Sequence, residues 1–137
     1  MDKEVILTVI DDNPTGAFIT ERTISRWFEN WKINFKDSVE NALTFVRKQK
    51  PISMGSANLI LIESDIGDAG CMRFLKSYDL LSETIKNQFE IVVMSSGLPN
   101  NEDLQKIRRN PLVTLVFNAP WKEDHSQKLK ELVLKGI

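Results

Sequence analysis

The sequence is short of the residues that build covalent and metal cross-links. It has a single cysteine, Cys71, and a single histidine, His125, in 137 residues. One cysteine cannot form an internal disulfide, and this pair cannot supply a thiolate cage or a multi-histidine zinc site. Any metal bound by this chain must therefore be held mainly by oxygen atoms.

Long hydrophobic runs and a surplus of one charge are also missing. No apolar run approaches the roughly 20 residues that cross a membrane, and the first apolar segment is too short for the core of a signal peptide. The chain has 18 basic and 19 acidic residues, a formal net charge of −1, which argues against nucleic-acid binding by bulk electrostatics. These absences predict a cytoplasmic protein with no membrane and no nucleic-acid partner.

Apolar runs and helical patterns alternate five times along the chain. With 42% apolar and 27% charged residues, the composition is that of a soluble globule, and we expect one domain over residues 1–137. The strands are predicted at 5–10, 33–36, 59–62, 91–94 and 113–117. The helices are predicted at 14–31, between the cap at 37–38 and Pro51, from 70–71 onward, at 102–109 and at 122–135.

This alternation predicts an α/β protein with a parallel sheet and right-handed crossovers. For five strands the common arrangement is the doubly wound, flavodoxin-like (βα)₅ fold with strand order 2-1-3-4-5. Leu81 and Ile85 either continue the third helix or belong to an irregular connection.

Helical spacing predicts a buried face on the first helix, whereas the histidine is predicted to be exposed on the last helix. The predicted buried face consists of Ala17, Thr20, Ile24, Trp27, Phe28 and Trp31.

Acidic residues follow the first and third predicted strands. Asp11 and Asp12 end the first strand, and Glu63 ends the third. The predicted strand order places these three carboxylates together, with Ser95 and Ala119 on their other side. Because carboxylates at one crevice repel each other, they favour a bound cation or a proton. An all-oxygen site of this kind suits Mg²⁺.

Four segments at the predicted strand ends carry a resemblance to a known family. They are VIDDNP at 9–14, NLILIESDIGDAG at 58–70, IVVMSS at 91–96 and FNAPW at 117–121. With them the sequence resembles, over nearly its whole length, the CheY-like receiver domain of two-component response regulators. That family has a flavodoxin-like fold and is switched by phosphorylation.

The resemblance implies a site and partners. It places Glu63 at the phosphoacceptor position and Ser95 where a hydroxyl grips the phosphoryl oxygens. It implies Mg²⁺ held by Asp12, Glu63 and the backbone carbonyl of Asp65, with Asp11 acting indirectly. The partners expected are a histidine kinase or phosphotransfer protein, a downstream signalling protein, or both, and the protein itself is expected to be a monomer or a weak homodimer.

The sequence departs from the family at the centre of this site. The acceptor is Glu63 where the family has Asp, and the binding segment Ala119-Pro120 has Ala where the family has Lys. Ile66-Gly67 replaces Met-Pro, and the switch aromatic is displaced by one place, to Phe117. Lys122 is the nearest following lysine that could replace the missing cation.

Both central departures act against phosphorylation. A longer acidic side chain displaces the nucleophile, and misplacement costs on the order of 10²-fold in rate per Å. Loss of a cation removes charge stabilisation on which phosphoryl transfer depends.

Two functions are compatible with this pattern, and neither is enzymatic. The first is a response regulator receiver in a phosphorelay that acts through protein contacts. The alternative is a phosphorylation-independent pseudo-receiver in which Glu63 is a built-in negative charge. The contact surface is expected at 96–107, 113–117 and the last helix. A small metal-dependent phosphoester hydrolase is a third class, whereas an FMN-binding flavodoxin would need a phosphate loop that the first strand lacks.

Overall fold

The strands and helices follow the predicted order. The computed structural model describes residues 4–49, 56–66, 70–95, 102–119 and 121–135. The strands are β1 (Glu4–Ile10), β2 (Lys32–Lys36), β3 (Ser56–Glu63), β4 (Phe89–Ser95) and β5 (Val113–Asn118). The helices are α1 (Pro14–Trp27), α2 (Val39–Arg47), α3 (Gly70–Asp79), α4 (Glu83–Lys86), α5 (Glu102–Arg109) and α6 (Glu123–Lys135). The short α4 contains Ile85 and lies in the connection after α3, for which the sequence allowed either a longer third helix or an irregular segment.

The five strands form one parallel sheet in the order β2-β1-β3-β4-β5. The predicted flavodoxin-like topology is therefore confirmed. Ile10 lies opposite Ile62, and Glu63 lies opposite Met94. β1 and β3 consequently end at nearly the same level, so the residues that follow them meet at one edge of the sheet.

The core has one layer on each face of the sheet. Ile60 and Ile62 pack with residues of α2, α3 and α5, whereas Leu59 and Leu61 pack with residues of α1 and α6. Alternate residues of β3 thus enter opposite layers, which explains why a central parallel strand is a continuous apolar run. No helix in the described part of the chain is long and apolar enough to span a membrane.

The first helix is shorter and less buried than predicted. It ends at Trp27 because the backbone of Phe28 leaves the helical region (φ −135°, ψ 78°). The Phe28 and Trp31 rings then stack beyond the helix, with centroids 3.9 Å apart. Ile24 is the fully buried residue of α1, while Trp27 is 49% exposed. The predictions that the first helix reaches residue 31 and that Trp27 is buried are therefore wrong.

The prediction for the histidine is also wrong. His125 is 8% exposed and stacks on Phe117 with a centroid distance of 4.5 Å. The residue lies on the face of α6 that packs on β5, and a helical pattern without the neighbouring strand does not reveal that contact.

The backbone requires glycine at the start of α3. Gly70 has φ +59°, and a Cβ there would lie 2.6 Å from the carbonyl oxygen of Ser64. The same oxygen accepts a hydrogen bond from the Cys71 N–H at 3.2 Å, so the loop between β3 and α3 cannot move away without losing that bond.

We expect Gly70→Ala to lower the free energy of unfolding. The left-handed conformation alone costs a non-glycine residue about 1–2 kcal/mol, and the contact with Ser64 adds to this. Urea unfolding followed by circular dichroism measures the effect, with Ser77→Ala in the same helix as the control. Equal unfolding midpoints for Gly70→Ala and the wild type would contradict this account of the turn.

Candidate functional site

A cavity of about 420 Å³ lies where β1 and β3 end. It is bordered by the first turns of α1 and by the residues after β5, at the point where the sheet changes its direction of winding. The described residues that line it are Asp11, Asp12, Asn13, Gly16, Ile19, Thr20, Glu63, Asp65, Met94, Ala119 and Trp121. We call it the acidic cavity.

The start of α1 fixes the Asp11 carboxylate. Asn13 caps the helix, and its Oδ1 accepts hydrogen bonds from the N–H groups of Thr15 at 3.0 Å and Gly16 at 3.3 Å. Pro14 follows as the first helical residue, where its missing N–H has no intrahelical role. The Asn13 N–H in turn donates to Asp11 Oδ1 at 2.9 Å. One short turn therefore orients both the helix and the Asp11 carboxylate.

The Asp11 carboxylate is tightly placed. The Asp11 N–H donates to the Lys36 carbonyl oxygen at 3.0 Å, and a Cβ on Gly16 would lie 3.0 Å from Asp11 Oδ2. Burial raises the pKa of the Asp11 carboxyl, and the neighbouring Asp12 charge raises it further, against the lowering effect of the Asn13 N–H. The direction is the one expected for a carboxyl group that is partly removed from water.

Glu63 ends β3 and reaches the same cavity half-buried. Ser64 follows it, and its hydroxyl lies 3.4 Å from Glu63 Oε1. The Ser64 N–H donates to the Met94 carbonyl oxygen at 2.9 Å, which holds the chain after β3 against β4. Asp65 is exposed at the cavity wall. Four carboxylates thus share this cavity.

The side toward β4 and β5 only partly matches the arrangement expected from the sequence. Ala119 lines the cavity, and its N–H donates to the Ser95 carbonyl oxygen at 2.8 Å. The Ser95 side chain is buried and is not among the described lining residues. Lys122 is exposed and does not line the cavity either. Pro120 and Gly67 lie outside the described residues.

The described lining of the cavity contains acidic side chains but no basic ones. None of the described lining residues is a lysine, arginine or histidine. No group of three or more acidic, histidine or cysteine side chains in the described chain is arranged to enclose a metal ion. Mg²⁺, however, is usually held by one or two carboxylates and several waters. The donor types of Asp12, Glu63 and the Asp65 carbonyl fit such a hydrated site.

An aromatic wall joins the acidic cavity to α6. Trp121 lines the cavity, and its indole N–H donates to Ser126 Oγ at 2.7 Å. Its ring meets Phe117 edge-on at 5.6 Å. His125 stacks on Phe117 at 4.5 Å and meets Trp121 edge-on at 5.7 Å. The Lys122 N–H donates to His125 Nδ1 at 3.1 Å, and burial lowers the pKa of His125. Sequence reasoning missed this wall, although the segment FNAPW was its visible signal.

We expect Asp11→Asn to stabilise the folded protein at neutral pH. The pKa of Asp11 in the folded protein lies above the ordinary value of 3.8, which means that ionisation of Asp11 opposes folding. The resulting loss of folding free energy appears as the pH rises through the folded-state pKa, and it is absent at acid pH. Urea unfolding at about pH 7 and about pH 3 measures this. Exposed Glu29→Gln is the control. A stabilisation of the same size at both pH values would argue against this origin.

No protein-family model matches the sequence, and no curated protein matches it. The structure, in contrast, is similar to solved receiver structures along nearly the whole of both chains. A response regulator receiver protein from Dyadobacter fermentans has 16% identity and a TM-score of 0.81, with 95% of this chain and 98% of that chain covered.

Two further structures give the same result. A two-component response regulator from Cytophaga hutchinsonii has 19% identity and a TM-score of 0.80, with 97% and 98% covered. One from Legionella pneumophila has 19% identity and a TM-score of 0.75, with 96% and 99% covered. The resemblance seen in the sequence is thus matched in three dimensions, and this chain has the CheY-like fold of response regulator receiver domains.

Proposed function

We propose that this protein is a receiver-type module of two-component signalling that acts through protein contacts and not as an enzyme. One observation carries the proposal. Four carboxylates lie at the carboxyl ends of β1 and β3, and they share one cavity with Ala119. One of the four is Glu63, which the sequence resemblance aligns with the acceptor position. By the same resemblance, the site would keep the acids of a receiver and change the two groups that act on phosphate.

The geometry supports a fixed negative charge better than a phosphoryl acceptor. Glu63 extends one methylene farther into the cavity than an aspartate would, toward the volume that a phosphoryl group needs. A phosphoryl group brought there would face four carboxylates and no described cationic side chain. Phosphoryl transfer depends on positioning and on charge neutralisation, and both are weakened. The pseudo-receiver alternative therefore has the stronger physical support.

A metal ion has a limited role in this proposal. Asp12, Glu63 and the Asp65 carbonyl would hold Mg²⁺, with Asp11 acting through water. When bound, the ion would supply a positive charge that the lining side chains of the described residues lack. Asp11, held by the Asn13 N–H, would keep its orientation with or without the ion.

The output surface is proposed on the side of α5, β5 and α6. Trp121 lines the acidic cavity and donates a hydrogen bond to Ser126 of α6. A charge in the cavity would therefore influence the packing of α6 through Trp121. Lys106, Arg108 and Arg109 are exposed on α5. A kinase, a phosphotransfer protein or a downstream partner with an acidic surface would suit this basic helix.

We expect no phosphoryl adduct on the wild-type protein after incubation with acetyl phosphate and Mg²⁺. The double variant Glu63→Asp with Ala119→Lys restores the nucleophile geometry and the cation. It should be labelled at least about 100-fold faster than the wild type. Intact mass spectrometry measures both, beside a phosphorylatable receiver as the positive control and the double variant carrying Asp12→Ala as the negative control.

The position of any adduct separates the alternatives. A base-labile adduct on Glu63 of the wild type would overturn the fixed-charge account. An adduct on Asp12 or Asp65 would mean that a relocated acceptor preserves the phosphorelay function. Turnover of a phosphoester that Asp12→Ala abolishes would instead indicate a hydrolase.

We expect Glu63→Gln to change the surroundings of Trp121. Both side chains line the acidic cavity, so removal of the charge should shift the Trp121 indole resonance in nitrogen-correlated NMR spectra more than those of Trp27 and Trp31. Assignment uses Trp121→Phe, and the matched control is Glu83→Gln on α4. Unchanged resonances for Trp121 and for the amides of α5, β5 and α6 would contradict a role for the fixed charge.

A further inference from the structure

A second and larger cavity, of about 690 Å³, lies on the other side of the Asp11-Asp12 turn. It is bordered by the start of α1, the end of the edge strand β2 and one side of α2. The residues that line it are Asp11, Asp12, Pro14, Ala17, Phe35, Lys36, Asp37, Asn41, Thr44, Phe45, Lys48 and Gln49. We call it the β2–α2 cavity. Its volume is in the range of sites for small organic ligands.

We propose that the β2–α2 cavity binds an anionic ligand with a planar aromatic ring, of the nucleotide class. The proposal goes beyond the signalling function and does not rest on it. The ring would lie against Phe35, the phosphate would meet Lys36 and Lys48, and the amino edge of the base would meet the carboxylates.

The cavity offers an aromatic surface that the fold does not use. Phe35 is 38% exposed at the end of β2, although a phenylalanine is stabilised by burial. On the other wall, Lys36 Nζ lies 5.0 Å from the centre of the Phe45 ring, a cation–π contact. Phe35 therefore provides an open face for stacking, while the Phe45 ring helps to position a positive charge.

Two cations in the cavity have no ion pair within the described chain. Lys36 and Lys48 both line it, and neither belongs to a salt bridge of the described residues. A phosphate bridging two ammonium groups would form charge-assisted hydrogen bonds, which are stronger than neutral ones. The lysines thus select an anionic ligand.

Carboxylates at one end of the cavity select the other part of the ligand. Asp37 Oδ1 accepts a hydrogen bond from Asn41 Nδ2 at 2.8 Å, which fixes its orientation. Asp11 and Asp12 form the shared wall with the acidic cavity. Ionised carboxylates only accept hydrogen bonds, so a base with several N–H donors on one edge, such as guanine, is the best complement.

A polypeptide occupant is less favourable here. The open edge of β2 is short and carries lysine at both ends, Lys32 and Lys36. Short, lysine-flanked edges oppose the addition of another strand. The concave shape and the mixed aromatic and polar lining are typical of small-ligand sites.

We expect GMP to bind saturably in the absence of Mg²⁺. Titration followed by amide NMR should shift residues 35–37 and 44–49. Guanosine and inorganic phosphate, tested separately, should each bind at least about tenfold more weakly than GMP, because each offers only part of the interaction. Isothermal titration calorimetry gives the affinities.

Paired variants test the two recognition elements. Phe35→Ala should weaken GMP binding roughly fivefold or more, whereas Phe18→Ala, at an exposed phenylalanine outside this cavity, should leave it unchanged. Lys48→Ala should weaken it about tenfold, with exposed Lys76→Ala on α3 as the control. Circular dichroism verifies that each variant is folded.

Three outcomes would overturn the proposal. They are no binding of GMP at millimolar concentration, equal affinity for guanosine and GMP, and equal effects of the cavity variants and their controls. These outcomes are independent of the phosphorylation results, because the GMP titration uses no phosphodonor and no metal.

Discussion

The parallel register of β1 and β3 is the constraint on which the rest of this molecule depends. Pairing Ile10 with Ile62 buries both strands in the centre of the sheet and leaves Asp11 and Glu63 to emerge side by side. Hydrophobic burial favours the register, and the sheet therefore holds carboxylates together against their repulsion. Burial at this edge of the sheet raises the pKa of Asp11, and the charge of Asp12 adds to the effect.

Conversion from Asp to Glu and from Lys to Ala changes the chemistry of such a site without changing its frame. The Asn13 cap, the hydrogen bond from the Ala119 N–H to Ser95 and the left-handed Gly70 turn all depend on backbone groups or on residues that remain. A receiver fold can consequently persist while its phosphate chemistry is lost. A shared fold does not by itself fix activity.

The two cavities make the Asp11-Asp12 turn a junction between separate parts of the surface. One side of the turn faces the acidic cavity and the aromatic wall of Trp121, and the other side faces β2 and α2. The backbone bond from Asp11 N–H to the Lys36 carbonyl ties the end of β2 to the acids. A ligand on either side would therefore act on the same pair of carboxylates.

The sequence by itself determined the five strands, most helix positions, the strand order and the meeting of Asp11, Asp12 and Glu63, because apolar runs and capping residues act locally and parallel strands align their ends. It misjudged the end of α1 and the burial of His125, since both depend on rings that meet only after folding. Only the tertiary structure decided that Ser95 is buried away from the acidic cavity, that Trp121 lines it, and that β2 and α2 enclose a second one. Contacts between distant segments set these features, and no local pattern encodes them.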